Sequence, residues 1–278
     1  CSPVSSLRKL RDGGESWSPV LWADMIEMGW PGIVIPEQYD GLEFGYVGAG
    51  LLIEECGRTL ASSPLMSSAL VCSSLVNSLC NEEQKQAILP AIASGELILT
   101  LALNETARPC PEATRMTAVA DGDGFVLNGN KVHVIDGMIA HKLLVVARTD
   151  GVAGDQDGLS VFMVDRELQG LTFTGITNAD NHQVANIQFN AAHVGPEALL
   201  GVAGKCWPEL ERALDIGAVC SAAELFGIAQ ESFARTIQYL KERKQFGVFV
   251  GSFQALQHRA AHLFCELNLC RSMVLKAL

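Results

Sequence analysis

The stretch "KERKQFGVFVGSFQALQH", residues 241–258, holds the residue types best suited to grip a charged ligand. Arg243 precedes Gly247, Gln254 follows Gly251, and Phe246, Phe249 and Phe253 lie between. A guanidinium presents a fixed fork of N–H donors that matches phosphate or carboxylate oxygens. Glycines let a backbone turn sharply and come close to a ligand. The chemistry this pattern offers is recognition of an anion; the plainer reading makes Arg243 a solvated cation at a helix end. His258 and His262 stand four apart on a helix and could place two metal ligands on one face. No intervening glutamate and no third ligand accompany them, so they read as surface or packed histidines and no metal site is expected. The chain has no G-x-G-x-x-G after a strand, no P-loop and no G-x-S-x-G.

The elements that must position these residues follow from periodicity. "SWSPVLWADMIEMGWPG" places Ser18 as an N-cap, Pro19 at the first helical position and Gly29 past the end. "YVGAGLLIEECGRTL" and "LMSSALVCSSLVNSLC" read as two further helices. "NEEQKQAILPAIASGE" opens with a capping-box pattern, Asn81 and Gln84, and Pro90 is expected to kink or end it. The period changes after Gly95. "LILTLAL" reads as a buried strand, "FVLNGNKVHVID" as two short strands around Asn128-Gly129, and four more strands follow. These make an antiparallel β domain. Leu210, Leu214, Ala218, Ala222, Leu225, Ala229, Phe233, Ile237 and Leu240 then recur at spacings of three and four, a bundle-type seam. A second helix runs from about Gln254 onward. The domains expected are a helical 1–96, a β domain 97–204 and a helical 205–278, an α+β protein. Two bundle helices with an apolar seam need covering, either by further chain or by another subunit.

The net charge of −11 with no basic stretch argues against nucleic acid and anionic membrane as partners. Nine scattered cysteines without C-x-x-C suggest free thiols in a reducing compartment. No signal peptide and no apolar run of membrane-spanning length is read. The expectation is a soluble cytoplasmic protein.

"RKQFGVFVGSFQALQH" resembles the Arg-x-x-Phe-Gly … Phe-Gln segment of acyl-CoA dehydrogenases. "LWADMIEMGWPGIVIPEQYDGLEFG", "NEEQKQAILPAIASGELILTLALNE", "DGFVLNGNKVHVIDG" and "IQFNAAHVGPEALLG" resemble other runs of that family in the right order. The resemblance spans nearly the whole chain. It implies the family's helical, β and helical domains, FAD as cofactor, and an acyl-CoA thioester as substrate in fatty acid or steroid catabolism. It also implies α,β-dehydrogenation, in which a glutamate takes the α-proton and the flavin the β-hydride. The expected partners are a second, homologous subunit, as a homo- or hetero-oligomer with a dimer of dimers favoured, and an electron-transfer flavoprotein as acceptor. FAD crosses a subunit interface in this family. Arg243 would therefore reach a neighbour's diphosphate, with Gln245, Phe246, Phe253 and Gln254 beside it. Leu103, Asn104, His133 and Ile135 would line the flavin side.

The chain departs from the family pattern in one region. The flavin loop Thr-Glu-Pro-x-x-Gly-Ser-Asp is here "NETARPCPE": Asn104 stands for the threonine, and Pro109 and Cys110 for the Gly-Ser pair. His133 replaces an aromatic, and Ile135 a Thr or Ser that bonds near the flavin N5. The catalytic base is not in view: one family position for it falls on Gly217, and the other lies in helices that would follow Leu278. Glu224, seven residues from Gly217, is a substitute candidate, against the plainer reading of a buried carboxylate paired with Arg259. Three functions are expected from this: a subunit of a heteromeric enzyme that contributes Arg and Gln contacts to its companion's FAD; a self-sufficient homomeric enzyme; or a flavin-free scaffold protein.

Overall fold

Ser18 begins the first well-capped helix as its residue type predicts: its hydroxyl accepts the Leu21 N–H at 3.2 Å, and Pro19 occupies the first turn. The computed structural model describes residues 3–278. The helices are α1 (Val4–Asp12), α2 (Pro19–Glu27), α3 (Gly45–Thr59), a π-helix (Leu65–Cys72), α4 (Ser73–Leu79) and α5 (Glu82–Ala93). The strands are β1 (Leu99–Ala102), β2 (Thr117–Asp121), β3 (Gly124–Ile135), β4 (Lys142–Arg148), β5 (Leu159–Asp165), β6 (Leu171–Thr177), β7 (Gln183–Val194) and β8 (Leu199–Leu200). The long helix α6 (Trp207–Glu242), the short strands β9 (Lys244–Gln245) and β10 (Val248–Phe249), and α7 (Gln254–Ala277) complete the chain. This is the expected order of helical, β and helical regions.

By compactness the chain divides into two units. One gathers the residues up to Lys9, Gly45–Ala61 and Ala218–Leu278; the other gathers Leu10–Phe44 and Ser62–Gly217. The larger unit is built on a sheet of order β6-β7-β3-β2-β4-β5-β8, with β1 paired to β4. Its core packs Ile35, Tyr39, Leu75, Val76, Leu89 and Ile92 against Leu99, Leu144, Val146, Leu200 and Leu210. Burial of these side chains, at roughly 25 cal/mol per Å² of apolar area, is the main favourable term for this unit.

Four expectations are corrected here. The sheet is mixed rather than antiparallel: β1 runs parallel to β4 through four residue pairs, and β2 meets β4 in parallel at Thr117 and Arg148. Asn128-Gly129 does not turn the chain. β3 is one 12-residue strand, irregular beside these residues, with Gly129 at φ +144° and the Asn128 side chain accepting the Ala191 N–H. The turn falls instead at Asp121–Gly124, where Gly122 takes φ +59°. Pro90 does not end α5 at its own position: the helix runs three residues further, to Ala93, although proline gives up its own N–H bond to the residue 86 carbonyl. The segment read as one helix over residues 65–80 begins as a π-helix before becoming α4.

The smaller unit rests on close helix contacts. A Cβ on Gly57 would lie 2.2 Å from the Glu224 carbonyl oxygen, and one on Gly227 would lie 2.0 Å from that of Glu54. Only glycine lets α3 and α6 approach so closely. Arg58 pairs with Glu231 at 3.6 Å, and Arg271 with the buried Glu54 at 3.8 Å. Helix α7 has no buried residue and exposes Leu263, Phe264, Leu269, Met273 and Leu275. Contrary to expectation, α6 is long and apolar enough to cross a bilayer by length and composition. Core helices of soluble proteins share that property, and Leu210 and Ala213 of its first turns are fully buried in the larger unit.

Candidate functional site

The turn between α6 and α7 is a small β-hairpin, not a helical bend. Gln245 pairs with Val248 and Lys244 with Phe249, around a two-residue loop of Phe246 and Gly247. Phe246 has φ +53° and Gly247 φ +83°. Two consecutive positive φ values match the twist of tight hairpins, and glycine takes the second without cost. Phenylalanine in the first is uncommon and strained. The Phe246 ring is 92% exposed and lies edge-on to Phe253 at a centroid distance of 6.5 Å. Lys244 lies over the Phe249 ring at 4.7 Å.

Arg243, Gln245, Phe246, Phe253 and Gln254 are all exposed on this one turn. The Arg243 backbone N–H bonds Tyr239 and its carbonyl accepts from Val250, so the main chain is fixed. Its guanidinium has no hydrogen bond or ion pair among the described residues. A Cβ on Gly247 would meet nothing within 4 Å. Unspent cationic donors, a backbone open to close approach and outward aromatic rings fit the diphosphate end of a dinucleotide such as FAD.

The second group of expected site residues lies in the larger unit. Leu103 is buried, and its carbonyl accepts from the Lys131 ammonium at 2.9 Å. Asn104 accepts the Val132 N–H on its carbonyl at 2.7 Å, which brings residues 103–104 beside the end of β3. The Asn104 Oδ1 is buried with no partner. His133 is exposed at φ +54°, and its N–H donates to Asn186 Oδ1 at 3.0 Å. Ile135 is 54% exposed, and its carbonyl accepts from the Thr100 hydroxyl. This face fits a flavin less well than the turn fits a diphosphate. Ile135 offers no polar side chain and Pro109 no N–H. The nearby hydroxyls of Thr106 and Thr114 bond the carbonyls of Arg108 and Pro111.

The sequence reading missed the buried groups that shape this face. Lys131 is fully buried and pairs with Glu105 at 2.8 Å, while Glu105 also accepts the N–H groups of Arg115 and Met116. Burial pushes the Lys131 pKa down to about 8, and the neighbouring Glu105 charge opposes that shift. For Glu105, burial acts to raise the pKa; the Lys131 charge and the bonds from Lys131, Met116 and Arg115 together bring it below the usual range. The pair is therefore charged at neutral pH. Arg148, nearly buried, donates to five backbone carbonyls: Glu112, Thr114, Asp150, Asp155 and Asp157. It ties residues 112–114, at the end of the segment where the sequence departs from the family pattern and just beyond it, to the loop after β4. Lys131 stood in the quoted "NGNKVHVID" and Glu105 in "NETARPCPE", but nothing local says that the two meet.

Glu224, the candidate base, lies on α6 opposite Gly57; the Cys56 thiol pKa is raised mainly by burial, with the Glu224 charge adding to it. Among the described residues no cluster of three or more His, Cys, Asp or Glu side chains could hold a metal, and His262 pairs with Glu266 at 3.3 Å. The eight described cysteines are free.

Family models match in three consecutive segments: acyl-CoA dehydrogenase N-terminal domain at residues 6–96, middle domain at 107–192 and C-terminal domain at 204–278. The chain is 33% identical over 262 residues to a probable acyl-CoA dehydrogenase of Bacillus subtilis, covering 91% of this chain and 68% of that protein. A chain solved in a study of the electron transferring flavoprotein of Acidaminococcus fermentans superposes with a TM-score of 0.91 at 29% identity. That match covers 98% of this chain and 73% of the other. A steroid ACAD variant superposes with a TM-score of 0.85 at 31% identity, covering 99% of this chain and 72% of the other. The chain spans between 60% and 68% of the length of these curated relatives. Members of the matched family are FAD-dependent oxidoreductases. With three domain models in order and a relative at 33% identity, this chain belongs to the acyl-CoA dehydrogenase family.

Proposed function

We propose that the chain is one subunit of an FAD-dependent acyl-CoA dehydrogenase, and that its turn at residues 243–254 completes the cofactor site of a companion subunit. The observation that carries this reading is the turn itself. Its aromatic residue is exposed at a positive φ, and its arginine side chain has no hydrogen bond or ion pair among the described residues. Backbone strain of this kind persists where surrounding structure enforces it, and it clusters at functional sites.

In this reading Arg243 fixes the diphosphate through charge-assisted bonds, and Gln254 and Gln245 add neutral donors beside it. Phe246 and Phe253 exclude water around that contact, which strengthens it. Bound FAD supplies the acceptor for the hydride lost when an acyl-CoA thioester is oxidised between its α and β carbons. The proton-accepting carboxylate is assigned to the companion, and Glu224 is a weaker alternative on this chain. Similarity to a steroid ACAD and to curated acyl-CoA dehydrogenases supports a fatty or steroid acyl group as the part oxidised. The acceptor of the electrons is proposed to be an electron-transfer flavoprotein, and the compartment the cytoplasm.

The test is to purify the chain alone and together with its companion and to measure visible flavin absorbance. The expected result is a colourless chain alone and a yellow complex. Arg243→Ala should reduce FAD affinity of the complex by roughly tenfold or more, the scale of one charge-assisted hydrogen bond. A yellow, active chain without any companion would overturn the subunit assignment. Unchanged flavin content in Arg243→Ala would overturn the role of the turn.

A further inference from the structure

Side chains, not a neighbouring strand, accept the two amides at the head of β1, and one of the acceptors can be switched off by a proton. The Leu99 N–H donates to Ser68 Oγ of the π-helix at 3.0 Å. The N–H of Ile98, just before β1, donates to His141 Nδ1 at 3.0 Å. His141 stands just before β4, and its own N–H returns to the Ile98 carbonyl at 2.8 Å. The two residues form a reciprocal pair at the start of the parallel β1–β4 pairing, whose first partners are Leu99 and Lys142. Ile98 is 3% exposed, and His141 Nδ1 is the only acceptor of its N–H among the described residues. A buried N–H left without a partner is costly. His141 is exposed, so its ring can exchange protons with water.

A neutral imidazole has one N–H and one lone pair. Accepting the Ile98 N–H requires the lone pair on Nδ1 and the proton on Nε2. A second proton must go to Nδ1, which then faces Ile98 donor to donor. The charged groups around His141 come from several elements. Lys142 follows it directly and pairs with Asp165 of β5 at 3.9 Å. The Arg166 N–H donates to the His141 carbonyl at 3.1 Å, while its guanidinium donates to the Gly137 carbonyl and covers the Phe173 ring. Asp136, in the turn leading to His141, is buried and accepts the Ser67 hydroxyl at 2.6 Å. Glu96 and Glu167 are exposed. His141 has no ion pair among the described residues, so no carboxylate is placed to hold an imidazolium in exchange for the lost bond.

We propose that His141 is an acid-released latch on the entry of β1, a property independent of the proposed function. With the ring neutral the reciprocal pair is closed. When water delivers a proton to Nδ1, the ring becomes a cation, the Ile98 N–H loses its acceptor and the ring turns to solvent; loss of that proton restores the bond. The folded chain thus favours the unprotonated ring. The stabilisation from this bond is present above the titration of the ring and is lost as pH falls through it, around pH ~6.5 for an ordinary histidine. The far end of β1 is held separately, through the Leu103 carbonyl on Lys131 and the Asn104 carbonyl on the Val132 N–H. Acid therefore frays β1 from its beginning and leaves its end in place.

The test uses the full chain. Amide-exchange protection, corrected for intrinsic rates, is measured at Ile98 and Leu99 from mildly basic to mildly acidic pH, with Val145 and Val146 of β4 as controls. Nitrogen-15 NMR of the imidazole reads the tautomer. Protection at Ile98 should fall in acid by about three- to tenfold, the scale of one net hydrogen bond, while the controls stay level. At neutral pH the proton should be on Nε2. His141→Asn keeps an acceptor that does not titrate in this range, so its Ile98 protection should not vary with pH; in His141→Ala it should be low throughout. The tautomer and the wild-type profile need no variant, so a variant that fails to fold leaves the test intact. Ile98 protection that ignores pH, a proton on Nδ1 at neutral pH, controls that fall together with Ile98, or a His141→Ala profile that follows the wild type would each overturn the latch.

Discussion

Replacing Lys131 by methionine separates the two things that this buried lysine does. Its stem fills space in a fully buried position, and its ammonium satisfies the Leu103 carbonyl and the Glu105 carboxylate at 2.9 and 2.8 Å. Methionine keeps most of the volume, so no large cavity opens. What is lost is the charge and two hydrogen bonds. Breaking a buried ion pair by removing one partner costs about 3–5 kcal/mol, because the other charge stays behind. Here the two amides of Arg115 and Met116 still hold Glu105, and its side chain is 14% exposed, which places the expectation near the lower figure, ~3 kcal/mol. That is a large part of a typical folding free energy of about 5–15 kcal/mol. The double variant Lys131→Met with Glu105→Gln removes the stranded charge and should recover part of the loss.

The assay is urea unfolding followed by amide exchange at residues 103–116, because a multi-unit chain need not unfold in one step. The single variant should lose protection there before the rest of the larger unit does. Acid sensitivity supplies a second signature. The lowered pKa of Glu105 contributes stability above the unfolded value that is lost as pH falls through the folded one. Without Lys131 the burial effect dominates, so the acid limb of the stability curve should move to higher pH. For Lys131 the contribution is a penalty rather than a gain, but stability again rises with pH: a folded pKa of about 8 lies below the unfolded value, so the penalty shrinks as pH rises from about 8 to about 10.4. If Lys131→Met is as stable as the wild type at neutral pH, or the double variant no better than the single, the pair does not carry the loop.

Gly227→Ala should destabilise the smaller unit, since the new methyl would sit 2.0 Å from the Glu54 carbonyl oxygen; overpacking of this kind costs about 1–3 kcal/mol, read as a lower thermal midpoint. Arg148→Lys cannot match five carbonyls with one ammonium, and each buried carbonyl left unpaired costs about 1–3 kcal/mol. Amide exchange at residues 111–115 and 150–158 should then rise well before global unfolding, and unchanged exchange there would remove Arg148 as the tie between the two loops.

Local signals settled much of this protein. Ser18, Pro19, Asn81 and Gln84 mark helix starts because their bonds reach only three residues along the chain. The apolar seam of α6 is legible because helical periodicity is a property of one segment. The ordered family motifs led to the family and to the turn at Arg243. Other features depend on partners distant in sequence. Asn128-Gly129 carries a hairpin signal, yet pairing of β3 with β7 keeps the strand running through it. The parallel pairing of β1 with β4 joins segments 43 residues apart at Leu99 and Lys142. Glu105 finds Lys131, Ser67 finds Asp136, and Arg148 gathers carbonyls from two loops only after the sheet has formed. A residue type says what a side chain can donate or accept. Whether it meets a partner, loses its water or shifts its pKa is decided by what folding packs against it.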